Sequence, residues 1–105
     1  MQSSQMYNQI LKDCFWDYNF TSSDIDNMAK NNNKREMTFL FGKILENSTQ
    51  MLNSMEIFDK NSLKTLIEEY KVPTFNHDYI SRRLNILEYY FLDKPLTINE
   101  LRWTA

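Results

Sequence analysis

Cys14-Phe15-Trp16-Asp17-Tyr18-Asn19-Phe20-Thr21-Ser22-Ser23-Asp24 is the stretch on which the fold turns. It packs four aromatic rings into six residues and runs directly into a helix-start signal. The Thr21 hydroxyl can accept from the Asp24 backbone N–H while the Asp24 carboxylate reaches back to Thr21, the reciprocal pattern of a capping box. Upstream, Met6, Ile10, Leu11 and Cys14 recur at helical spacing and predict a helix over residues 4–15. The aromatic run is therefore a connector between two helices. Polar Asp17 and Asn19 alternate with Trp16, Tyr18 and Phe20. Such alternation predicts that Phe15, Trp16 and Phe20 turn inward as the keystone of the core. On that reading Trp16→Ala would open a cavity costing about 3–5 kcal/mol.

Working outward, the rest of the chain reads as helix after helix. Ile25 and Met28 mark the buried side of a helix over 22–31. Asn33 is placed to cap a helix over 34–47, which is apolar on more than one face and so suits a central position. Gly42 lies inside it, at a cost of about 1 kcal/mol relative to alanine, and implies close approach by another helix. A short helix is expected over 48–57, then one over 60–70 capped by Asp59. Val72-Pro73 ends that one, because the residue before a proline is pushed out of the α region. Asn76 is positioned to cap the longest helix, residues 77–92, and Thr97-Ile98-Asn99-Glu100 forms a second capping box before Leu101 and Trp103. The chain has a single glycine and two prolines in 105 residues, too few for the tight turns of a sheet protein. The expected fold is all-α, one compact domain of about five to six helices over residues 1–105.

Composition excludes several function classes. Twelve basic and 14 acidic residues are interspersed, net −2, so there is no basic stripe for non-specific nucleic-acid binding and no cationic face for a membrane surface. The polar start (Gln2, Ser3, Ser4, Gln5) does not resemble a signal peptide, and no apolar run approaches the roughly 20 residues of a membrane span. A cytoplasmic protein is expected. Cys14 is the only cysteine and His77 the only histidine. A Cys–His nucleophile pair would need both ends of the chain to meet, whereas Cys14 on an apolar stripe reads as a small hydrophobe. The pairs Asp24/Asp26 and Glu68/Glu69 diverge around a helix, no cluster has metal-ligand spacing, and no glycine-rich phosphate loop exists. The expectation is a protein that is not an enzyme and takes no cofactor or metal.

Two surfaces remain as candidates. Leu63 to Ile86 has the outline of a helix-turn-helix, with Ser81, Arg82, Arg83 and Asn85 where base-reading side chains would stand. Its connection, Lys71 to Asn76, exceeds the roughly 3–4-residue turn of that motif and lacks glycine. DNA binding is the alternative function. The first choice is protein interaction, because tyrosine, tryptophan, methionine and arginine are the types enriched at interfaces. Its expected contact residues are Tyr79, Arg82, Arg83, Tyr89, Tyr90 and Trp103, with the two arginines supplying charge at the rim.

The run Cys14 to Tyr18, followed by Phe39-Leu40-Phe41-Gly42-Lys43-Ile44-Leu45-Glu46-Asn47, resembles a group of small bacterial proteins. These begin with a Phe-Trp-Asp segment and continue into a helix of the form Phe-(Leu/Ile)-x-x-(Lys/Arg)-(Ile/Val)-Leu-Glu. Some are encoded beside AbiEii-type nucleotidyltransferase toxins and are taken as candidate antitoxins. The resemblance covers the first half of the chain. It implies an antitoxin-like partner of a toxin or defence protein encoded nearby, and it carries over no catalytic residue.

Overall fold

The computed structural model describes residues 3–96. Six α-helices succeed one another in them: α1 (Ser3–Cys14), α2 (Ser22–Lys30), α3 (Lys34–Asn47), α4 (Met51–Ser54), α5 (Lys60–Glu69) and α6 (His77–Leu92). A 3-10 turn, Met55–Ile57, follows α4 directly. The described residues contain no strand, as the scarcity of glycine and proline implies. The Cα radius of gyration, 13.5 Å, matches the roughly 13 Å of a packed chain of this length. None of the described helices is long and apolar enough to cross a membrane.

Local chemistry sets the helix starts. The Thr21 side chain accepts from the Asp24 N–H (3.3 Å), and the Asp24 carboxylate accepts from the Thr21 N–H (2.8 Å), so the weaker aspartate version of the capping box forms. Asn33 caps α3 by accepting from the Glu36 N–H (3.2 Å), and Asp59 caps α5 by accepting from Ser62 (2.9 Å). Asn76 departs from expectation. Its backbone takes the left-handed conformation (φ 52°) and its side chain makes no capping bond. Asn32 (φ 61°) and Asp93 (φ 60°) adopt the same region, which asparagine and aspartate tolerate best among residues with a Cβ. These three residues perform the turns that glycine would otherwise supply.

The predicted helix over 48–57 is broken. Ser48 leaves the helical region and its hydroxyl accepts from the Gln50 N–H (3.1 Å) while bonding the Ser54 hydroxyl (2.8 Å) in the interior. Asp13, near the end of α1, accepts from the Thr49 N–H (2.9 Å) and hydroxyl (2.7 Å), tying α1 to this corner. Polar side chains that compete for backbone groups favour such turns over helix.

Helix α3 is the central element, packed against α1, α2, α4, α5 and α6. It buries Met37, Leu40, Phe41, Gly42, Ile44 and Leu45, a broad surface consistent with its multi-sided apolar pattern. Phe41 meets the rings of Phe58 and Tyr70 at 6.4 and 5.3 Å. Gly42 serves a ring and not a helix. A Cβ built there would stand 3.5 Å from the Tyr70 ring and hydroxyl, which is ordinary contact.

Candidate functional site

The connector between α1 and α2 is a tight turn. The Phe15 N–H donates to the Leu11 carbonyl (3.1 Å), and the Tyr18 N–H donates to the Phe15 carbonyl (2.9 Å). Trp16 and Asp17 occupy the two corners and point outward, while Phe15 at the base faces the core. Phe15 is buried and gathers the rings of Tyr18 (5.3 Å), Phe20 (5.3 Å) and Phe39 (5.9 Å) around it. Phe15 is thus the keystone expected, and Phe20 packs half-buried beside it. Trp16 is not. It is 80% exposed, the most exposed large apolar side chain among the described residues. The alternation rule misplaced it because that rule assumes extended backbone, and a turn sends two consecutive side chains to the same outer side.

The result is an aromatic shelf. Tyr18 stacks on Phe20 at 5.2 Å and meets Phe39 at 6.2 Å, and both Tyr18 and Phe39 keep partial exposure. The Lys43 ammonium sits 5.1 Å from the Tyr18 ring centre and 5.9 Å from that of Phe39, a cation–π arrangement over both. Trp16 sits on the hydrogen-bonded turn between Phe15 and Tyr18, whose rings belong to this cluster, so little backbone ordering is left for a partner to impose.

A second exposed group lies on α6. Tyr79, Tyr89 and Tyr90 are exposed, and Phe75, in the segment before α6, is 62% exposed. Arg82 is exposed as well. Arg83 is not the rim charge expected. Its guanidinium turns inward and donates to the backbone carbonyls of Leu45 and Ser48, the latter at 2.7 Å, with the Ile44 carbonyl at 3.5 Å. These carbonyls end α3, where the helix dipole favours a cation and an arginine fork fits them. The Arg83 guanidinium also lies 5.4 Å from the Tyr79 ring centre. Trp103 and the Thr97 capping box lie outside the described residues.

The same geometry bears on α6 as a recognition helix. Asn85 is buried, and its amide donates to the Glu88 carboxylate (3.2 Å) and the Pro95 carbonyl (3.4 Å). Arg83 and Asn85, both placed to reach bases, are therefore engaged within the protein, and the segment joining α5 to α6 occupies residues 70–76. Single-helix periodicity could not reveal this, because neither the α3 terminus nor the chain after α6 is visible from the α6 sequence.

Cys14, His77 and a cleft beside Tyr7 are the places among the described residues where reactive side chains gather. Burial, with Asp13 nearby, pushes the Cys14 thiol up to about 12, only partly offset by Arg83 and Lys43. A thiol activated for attack is shifted the other way. His77 is exposed and lies 3.6 Å from the Asp78 carboxylate. A cleft of about 460 Å³ opens beside Tyr7, Lys30, Asn53 and Glu56. There the Tyr7 hydroxyl donates to Asp26, which also pairs with Lys30 (2.9 Å), and burial followed by Asp26 raises the Tyr7 pKa. No group of three or more potential metal ligands occurs among the described residues. Compared with protein-family models, with curated proteins and with solved structures, the chain finds no match.

Proposed function

We propose that the chain is a non-enzymatic, cytoplasmic protein-interaction module, the antitoxin-like partner of a bacterial toxin or defence protein encoded nearby. The observation that supports it best is Trp16, 80% exposed on a turn locked to a ring cluster. Exposing a large indole to water is unfavourable, and tryptophan is the residue most enriched among interface hot spots. The mechanism is steric. The shelf around Trp16 seats in a pocket of the partner and the rigid helical body covers the partner's working surface, with Tyr79, Tyr89 and Tyr90 offering a second contact.

The experiment is co-expression with the neighbouring gene product and calorimetry on the purified pair. Trp16→Ala should weaken the complex by about 2 kcal/mol or more, roughly 30-fold, while leaving the fold intact. If Trp16→Ala and Tyr89→Ala both bind with full affinity, the reading fails.

A further inference from the structure

We infer that the α3 face carrying Arg35, Phe39 and Lys43, together with Trp16, receives an acidic, apolar segment of the partner protein. This rests on the interaction-module reading and adds the partner's chemistry. Arg35 and Lys43 flank Phe39 at four residues on either side, so all three share one helical face. The two cations are separated by eight residues, roughly 12 Å along the axis. Lys30 and Lys34, by contrast, are paired, with Asp26 and with Glu69. Arg35 and Lys43 have no carboxylate within ion-pair distance among the described residues.

That pairing decides the occupant. Anything that covers Phe39 and Tyr18 also strips water from the Lys43 ammonium, which sits over both rings. A neutral partner would leave that charge buried and unpaired, and a basic partner would be repelled. A partner with carboxylates on either side of an apolar side chain, about 12 Å apart, satisfies both cations and fills the shelf. A nucleic-acid strand also offers anions and flat rings. Such a strand needs a continuous basic track for its phosphates, whereas this face offers two cations roughly 12 Å apart on a chain of net charge −2.

The test uses the full chain, 15N-labelled, and three synthetic helical peptides. One carries Glu-x-x-x-Leu-x-x-x-Glu, the second replaces both Glu by Gln, and the third by Lys. The Glu peptide should shift the Trp16 indole N–H and the amides of Tyr18, Phe39 and Lys43. It should bind at least about fivefold more tightly than the Gln peptide, with the preference reduced in Lys43→Gln and erased in the Arg35→Gln, Lys43→Gln double variant and at roughly 0.5 M salt. Equal binding of the Glu and Gln peptides overturns the inference. So do tighter binding of oligo-dT, shifts centred on α6, and no shift at millimolar peptide. The two readings fail separately. A natural partner released by Trp16→Ala but indifferent to Lys43→Gln and Arg35→Gln removes the acidic segment and leaves the interaction module standing.

Discussion

Replacing Arg83 by alanine removes the clamp between α6 and the end of α3. The guanidinium donates to the Ser48 carbonyl at 2.7 Å and to that of Leu45, with a weaker contact to Ile44 at 3.5 Å. A hydrogen bond with one charged partner contributes about 1.5–3 kcal/mol net, and a cation at a helix C-terminus about 0.3–1. The contributions overlap, and Arg83 is half-buried, so water can reach part of the vacated site. The expected loss is about 2–3 kcal/mol. For a domain of this length each kcal/mol moves the melting temperature by about 4–8 °C, so a fall of roughly 10–20 °C is expected. Arg83→Lys keeps the charge but loses the planar fork that spans two carbonyls, and should recover about 1 kcal/mol of the loss. Urea unfolding followed by circular dichroism measures both, an unchanged m-value showing that the denatured state is unaltered. Arg83→Ala within 0.5 kcal/mol of wild type, or Arg83→Lys equal to wild type, would refute the clamp.

Phe15→Ala should lose about 3–5 kcal/mol through the cavity it leaves under three rings, whereas Trp16→Ala, at an exposed turn corner, should stay within about 0.5 kcal/mol; chemical denaturation of the two variants separates these outcomes. Gly42→Ala should be neutral or stabilising by up to about 1 kcal/mol, since its Cβ meets Tyr70 at ordinary contact distance and glycine is a poor helix former; a clear loss in thermal melting would refute this. Stability should decline in acid. Burial raises the Asp13 carboxyl, but the Thr49 N–H and hydroxyl and then Gln9 outweigh it and hold it below its ordinary value. The Tyr7 hydroxyl and Lys30 lower Asp26, and the backbone and side chain of Ser62 lower Asp59. Each folded-state value lies below the unfolded one, so the contribution is complete above about pH 4 and disappears as pH falls through the folded values. A pH series of unfolding midpoints that stays flat from neutral to pH 2 would contradict this.

The helices were legible in the chain because their starts and stops are local. Thr21, Asn33 and Asp59 bond backbone groups three residues away, and a window of that length contains both partners. The same holds for most of the apolar stripe of α1: Met6, Ile10 and Cys14 are buried, while Leu11 is half-buried and Tyr7, which the spacing does not select, is buried as well. Asn76 is a left-handed corner and not the side-chain cap its position predicts, because asparagine serves both uses and residue type does not distinguish them. The candidate site was legible only in part. Tyr79, Tyr89 and Tyr90 stand out in the chain as surplus aromatics and are exposed, but nothing in the spacing marks Phe39, Lys43 and Phe75 as surface neighbours of a ring cluster.

Short-range chemistry settles the all-α class, the order of the helices and the central place of α3, since caps, breakers and periodicity act over a turn or two. Packing between distant segments settles which side chains remain available. Arg83 meets carbonyls 35 and more positions earlier in the chain. Asn85 is covered from beyond the end of its own helix. Trp16 is turned out because Phe15 takes the one inward place among Tyr18, Phe20 and Phe39. Each of these outcomes is a competition for space or for a hydrogen-bond partner supplied by another segment. The sequence around the residue itself carries no record of which competitor wins.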